Sequence, residues 1–187
     1  MNLEQIGVID LQALERCAMS LKLPARPPWQ VADRVSRYVA EFLEPDLNRL
    51  CGSSAAGSAL AGDVAYAVNE LLENAAKYSL PGAVQFAAAL ADDEVILSLS
   101  HAVATQHAER YRSRALDMVT LDPMEMLIAT VERNALREGE SESASGLGLL
   151  SLMSDYGARL GFAFVADAAT SSDCVRVTTQ AHLPLRH

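Results

Sequence analysis

Three side chains with complementary chemistry stand four and three residues apart: Glu70, Asn74 and Lys77, within Asn69-Glu70-Leu71-Leu72-Glu73-Asn74-Ala75-Ala76-Lys77-Tyr78-Ser79. On a helix this spacing stacks a carboxylate, a neutral amide and an ammonium along one face. Such a stripe suits a surface that faces a ligand, although a merely solvated helix face carries the same residue types. A second stretch, Ser145-Gly146-Leu147-Gly148-Leu149-Leu150, places glycines at the start of an apolar helical pattern. Glycines let the backbone approach a phosphate, and a helix N-terminus adds unpaired N–H groups and a favourable dipole. Most Gly-x-Gly triplets are only tight turns, so this one gains weight only from its partner upstream.

Other chemistries find little support. His101, His107, His182 and His187 lack ligand spacing, and there is no Gly-x-Ser-x-Gly elbow. Cys17, Cys51 and Cys174 are odd in number and far apart, which suits reduced thiols better than a disulfide frame or zinc site. With 15 basic against 24 acidic residues and a formal charge of −9, the chain is a poor general binder of nucleic acid or anionic membrane. The N-terminus lacks a signal-peptide pattern and no apolar run is long enough to span a bilayer, so the expected location is the cytoplasm.

The elements that would position these residues follow from periodicity. A helix from near Gly62 to Ser79 carries Val64, Ala67, Val68, Leu71, Leu72 and Ala75 as its apolar stripe. Upstream, Asp10 is a candidate cap for a helix with Leu11, Leu14, Ala18 and Leu21 on one face. After Pro27-Pro28, a second helix is expected to bury Val31, Val35, Tyr38 and Phe42, and Cys51 to Gly62 reads as a loop. Downstream, Val84, Phe86, Ala88 and Leu90 alternate at period two, as do Val95, Leu97 and Leu99, with Ala91–Glu94 as the hairpin turn. A helix over 108–120 carries Arg110, Arg112 and Arg114, a solvated or anion-facing strip. Asp122-Pro123-Met124-Glu125 is a helix start, and Met124, Leu127, Ile128, Val131 and Ala135 line one face of that helix. The helix after Gly148 ends with Gly157 as its C-cap, and strands over 159–166 and 174–183 close the chain. These segregated elements predict an α+β fold.

In their order and motifs these stretches resemble the Bergerat-fold (GHKL) ATPase and kinase superfamily, which includes histidine kinases, gyrase and the anti-sigma-factor serine kinases. Glu70–Ser79 is similar to its N-box, and Ser145-Gly146-Leu147-Gly148-Leu149 to its second glycine box. Leu183-Pro184 resembles its closing apolar-Pro pair. The Tyr78-Ser79 ending and the run Gly146-Leu147-Gly148-Leu149-Leu150-Ser151-Leu152-Met153 are most similar to stand-alone SiaB-type kinases. The resemblance implies a two-layer α/β sandwich: a mixed, mainly antiparallel sheet with helices on one face and a helical ATP lid at about 101–145. Residues 62–187 would be the kinase core and 1–61 a helical layer packed on it. It also implies ATP and Mg²⁺ as ligands. Asn74 would ligate the metal, Glu70 would act as general base, and Lys77 and the backbone of Ser145, Gly146, Leu147 and Gly148 would hold phosphates. The implied activity is serine/threonine phosphorylation of a small SiaC-like or anti-anti-sigma-like partner protein in a bacterial switch. The alternative is a weak or inactive module that sequesters a partner. The N-terminal helices are a candidate homodimer face.

One departure marks the other half of the site. The superfamily places an aspartate and Gly-x-Gly after the strand that corresponds to Val95–Ser100, where the aspartate binds the adenine amino group. This chain reads Ser98-Leu99-Ser100-His101-Ala102-Val103-Ala104 there, with Ser100 and His101 as weak substitutes, and Ala144 stands where a glycine often precedes the second box.

Overall fold

The computed structural model describes residues 3–136, 147–166 and 173–185. Its centre is a six-stranded sheet of β1 (Leu3–Gly7), β2 (Met19–Pro24), β3 (Ala83–Leu90), β4 (Glu94–Ala104), β5 (Arg159–Ala166) and β6 (Cys174–Pro184). The spatial order is β1-β5-β6-β4-β3-β2, and every neighbouring pair is antiparallel. One face carries the helices α1 (Trp29–Leu50), α2 (Ser54–Tyr78), α3 (Thr105–Thr120), α4 (Pro123–Ala135) and α5 (Leu147–Ser154). This is the two-layer α+β sandwich expected from the order of elements.

Period-two alternation selects the face. Val84, Phe86 and Ala88 of β3, Val95, Leu97 and Leu99 of β4, Leu160, Phe162 and Phe164 of β5, and Val177, Ala181 and Leu183 of β6 all enter one core. The helical layer completes it with Leu60, Val64, Ala67, Val68, Leu71, Leu72 and Ala75 of α2, the apolar stripe visible in the sequence.

The first sixty residues depart from the expected helical layer. Asp10 does cap a turn, accepting from the N–H groups of Gln12 at 2.9 Å and Ala13 at 3.1 Å, but the 3-10 turn lasts only from Leu11 to Leu14. The chain then becomes β2, because Met19, Leu21 and Leu23 alternate and pair opposite Ala88, Phe86 and Val84 of β3. Ala18 fixes this register through its N–H to the Ala88 carbonyl at 2.8 Å. The assumed loop over 51–62 is mostly helix. Ser53 caps α2 by accepting from the Ala56 N–H at 3.1 Å, and the alanine-rich sequence after it favours helix.

Because β1 and β2 lie at opposite edges, the segment joining them crosses the outer face of the sheet as a strap. Gly161 lets it pass: a Cβ there would run into the Val8 carbonyl. Gln180 of β6 clasps it with both ends of its amide, accepting from the Asp10 N–H at 2.7 Å and donating to the Asp10 carbonyl at 2.8 Å. Ala13 packs beside Ala89 and Ile96 on this outer face.

The orientation of α1 also differs from expectation. Its buried residues are Ala32, Ser36, Val39, Ala40, Leu43 and Leu47, whereas Tyr38 and Phe42 are exposed. The helix has two apolar stripes, and the one with smaller side chains faces α2, where Gly57 meets Asn48 too closely for any Cβ. On α4, Asp122 caps as expected, accepting from the Glu125 N–H at 2.9 Å, but Met124, Ile128 and Val131 point outward. Leu127 of the expected face does pack inward, joined by Met126. Arg112 of α3 is a tie, not an anion-facing group. Its guanidinium pairs with Glu4 of β1 at 2.6 Å and lies 5.1 Å from the centre of the Phe164 ring. No helix among the described residues is long and apolar enough to cross a membrane.

Candidate functional site

The polar stripe of α2 lies above the core, at the edge facing α5. Asn74 is half-buried, and its Nδ2 donates to the backbone carbonyl of Glu70 at 2.9 Å. A carbonyl can only accept, so the amide nitrogen must face it. The side-chain carbonyl Oδ1 is therefore the end turned away from this contact, and it is the kind of atom that a hard cation takes as a ligand.

Glu70 lies one turn earlier. Gly148, at the start of α5, is packed so closely against it that any Cβ would overlap the carboxylate. The two sequence stretches thus meet directly: Gly148 supplies the space that the Glu70 carboxylate occupies. Burial raises the pKa of Glu70, repulsion from Glu73 raises it further, and Lys77 partly opposes both. A carboxylate held at raised pKa beside a helix N-terminus is a stronger base than an exposed one.

Lys77 is exposed and pairs with Glu73 at 3.7 Å, with both side chains near half exposure (41% and 45%). Glu73 also accepts from Asn69 Nδ2 at 3.1 Å. Lys77 is therefore tethered to Glu73 one turn beyond Asn74, close enough to Glu70 for its charge to be felt there. Leu147 and Gly148 open α5, whereas Ser145 and Gly146 lie outside the described residues, as does the last part of the expected lid. Of that lid, residues 101–104 belong to β4, and α3 and α4 come next.

The sequence reading missed two tyrosines. Tyr66, one turn before Glu70, stacks on Tyr156 with ring centres 5.2 Å apart. Burial raises the pKa of its phenol and the Glu70 charge adds to this, against a hydrogen bond with Ser151 of α5. The i−4 spacing of Tyr66 from Glu70 was visible, but its meaning depended on where α5 docks.

At the other end of α2 lies the stretch where an adenine-binding aspartate was expected. His101 is neither solvated nor at the end of a strand. β4 continues through Ala104, and His101 is buried opposite Val177 with Nδ1 3.0 Å from Ser79 Oγ at the C-cap of α2. Burial, reinforced by the charge of Arg176 and opposed by a hydrogen bond to the Ala102 backbone, pushes its pKa down to about 4, so the ring is neutral. Ser100 faces the opposite side of the sheet, where it accepts from Thr178 Oγ1 at 3.2 Å. Tyr111 of α3 covers His101 edge-on at 6.4 Å between ring centres. It also meets Tyr78 at 6.0 Å, Phe162 at 6.3 Å and Phe164 at 6.1 Å, with its hydroxyl 3.2 Å from Thr179 Oγ1. This half of the site is an aromatic pack with neutral hydrogen-bonding groups and no carboxylate among the residues named.

Among the described residues no three His, Cys, Asp or Glu side chains form a cation cage. A Mg²⁺ at Asn74 would therefore complete its shell with phosphate oxygens and water, a coordination that suits the ion.

No family model matches the chain, and no curated protein matches it. A chain of the crystal structure of the SiaB–SiaC complex from Pseudomonas aeruginosa is similar in fold, with a TM-score of 0.61 and 16% sequence identity. The likeness covers 94% of this chain and 98% of that one. At that identity the likeness is one of fold.

Proposed function

We propose that this chain is a Mg²⁺- and ATP-dependent serine/threonine protein kinase that acts on a small partner protein in a bacterial regulatory switch. The observation that carries the reading is that Glu70 meets both partners: Gly148, at the start of α5, packs on its carboxylate, and the Asn74 amide nitrogen bonds to its backbone carbonyl. Fold similarity to a chain of a complex between two proteins supports the partner. The outward stripe of Met124, Ile128 and Val131, on the helix that packs against α5, offers such a partner apolar surface.

Each residue then has a role. Asn74 Oδ1 would hold the cation. Glu70 takes the proton from the partner's serine or threonine hydroxyl as that oxygen bonds to the γ-phosphorus and the bond to the ADP oxygen breaks. Lys77 and the N-terminus of α5 offset charge on the transferring group. When bound, Mg²⁺ would neutralise phosphate charge and fix the phosphates in line. The neutral His101–Ser79 pair and Tyr111 favour a loosely read base over one gripped by a carboxylate. Loss of one such hydrogen bond costs about 1–3 kcal/mol, roughly ten- to a hundredfold in affinity.

Calorimetric titration with Mg·ATP, beside Asn74→Ala, tests the binding half of the reading. Binding that falls at least about tenfold in the variant is expected. Phosphotransfer to the partner that survives both Glu70→Ala and Asn74→Ala would refute the kinase. The second reading, a module that only sequesters its partner, is favoured by the missing carboxylate near His101. Absence of Mg·ATP and Mg·ADP binding at millimolar nucleotide would establish that reading instead.

A further inference from the structure

The outward side of α1 carries a second set of apolar side chains. Tyr38 and Phe42 are 54% and 46% exposed, and their ring centres lie 6.4 Å apart. Val31 and Val35 precede them at helical spacing and Pro45 comes after, so one face of a 22-residue helix presents a continuous apolar strip. Helix α1 already buries a full face against α2 and half-buries Val35 against the core, so the exposed part of this strip, Tyr38, Phe42 and Pro45, is surplus to the fold.

The charges beside the strip are sorted by sign. Arg34 and Glu41 are exposed, seven residues apart, on the same flank of the Tyr38–Phe42 stripe. Among the described residues neither belongs to an ion pair, whereas their neighbours Asp33 and Arg37 satisfy each other. In an antiparallel pair of identical helices related by a two-fold axis, the same flank of each helix faces the other. With the axis at Tyr38, Arg34 of one copy stands across from Glu41 of the next, Val35 across from Phe42, and Val31 across from Pro45. Tyr38 meets its own copy at the centre. The midpoints of these pairings all fall within half a residue of Tyr38, about 0.8 Å along the helix, so one axis serves the apolar strip and the charges together. A parallel pair brings opposite flanks together and leaves Arg34 and Glu41 apart.

We propose that the chain forms a two-fold symmetric homodimer through antiparallel pairing of α1 along Val31, Val35, Tyr38, Phe42 and Pro45, with reciprocal Arg34–Glu41 ion pairs. The proposal does not depend on the kinase reading. A single helix pair is a small interface, so the dimer is concentration-dependent and salt-sensitive.

Sedimentation velocity of the full chain over a range of concentrations tests it, with folding of each variant checked by circular dichroism. Wild type is expected to shift from monomer to dimer. Phe42→Asp, at an exposed position, is expected to raise the dissociation constant at least about tenfold. Arg34→Glu and Glu41→Arg are each expected to weaken the dimer by about two- to fivefold, and the double exchange to restore it. A wild-type chain that stays monomeric at its highest soluble concentration would overturn the proposal and give the strip to a different protein. A double exchange no tighter than either single variant would overturn the antiparallel register.

Discussion

The buried imidazole of His101 makes stability depend on pH in a way that can be isolated. In the folded chain its pKa lies at about 4, against 6.5 for an unburied ring. Between these values the unfolded chain binds a proton that the folded chain refuses, so stability rises with pH. The contribution is unaffected above about pH 6.5, falls progressively on acidification, and levels off below about pH 4. At 1.36 kcal/mol per pH unit, the interval is worth roughly 3 kcal/mol, a large share of a typical domain's margin. Other groups titrate in the same range, Glu70 among them, so the informative quantity is a difference. Urea unfolding of wild type and His101→Gln, run at matched pH values, gives that difference directly; glutamine is uncharged and can still hydrogen-bond Ser79. The wild-type curve is expected to drop relative to the variant as pH falls from 6.5 to 4, with the gap constant above. A flat difference over that interval would show that His101 is hydrated or charged in the folded state, which would undo the neutral aromatic pocket described around Tyr111.

Three further outcomes rest on single contacts. In Gly148→Ala the atoms nearest the new Cβ are Cγ, Cδ and Oε2 of Glu70, a side chain that can rotate away, and alanine is the better helix former, so thermal stability is expected to change by less than about 1 kcal/mol. Phosphotransfer is expected to fall steeply because Glu70 is displaced, and a variant equally active in a kinase assay would separate Gly148 from the site. The raised pKa of Glu70 sets the acid limb of the same assay: activity is expected to increase with pH through a midpoint above that of an ordinary glutamate, and a limb at or below the ordinary value would exclude it as the base. Gln180→Ala leaves both backbone groups of Asp10 without their partner, at a cost of about 2–4 kcal/mol in urea unfolding. Amide exchange over residues 3–18 is expected to quicken more than exchange in α2; a uniform change would mean that the strap is not separately clasped.

Local signals made much of this molecule readable. The stripe of α2, the Asp122 cap of α4, the Gly157 end of α5 and the β3–β4 hairpin rest on contacts within a few residues. Gly157 has a φ of 67°, and the Ala158 N–H reaches back to the Leu152 carbonyl at 3.0 Å. What escaped rests on partners distant in sequence. Met19, Leu21 and Leu23 become a strand because β3 accepts them, and the competing helical spacing of Leu11, Leu14, Ala18 and Leu21 was equally legible. Tyr38 and Phe42 looked buried because α1 has two apolar faces and only the small residues of α2 decide between them. In the site, Glu70 and Asn74 share one helix and were visible together. The cover over His101 comes from Tyr111, Phe162 and Phe164, on elements whose docking no local pattern announces.

The strap has a consequence for how the chain is made. Residues 3–24 leave the ribosome before any strand they join, since β2 waits for β3 and β1 waits for β5. Both outer edges of the sheet are therefore finished by segments made before the rest of it, and β1 has no partner until β5 has emerged. A nascent chain with unpaired edges invites pairing with a neighbour. Variants that loosen the Gln180 clasp should therefore reduce soluble yield during synthesis more than their effect on the finished protein accounts for.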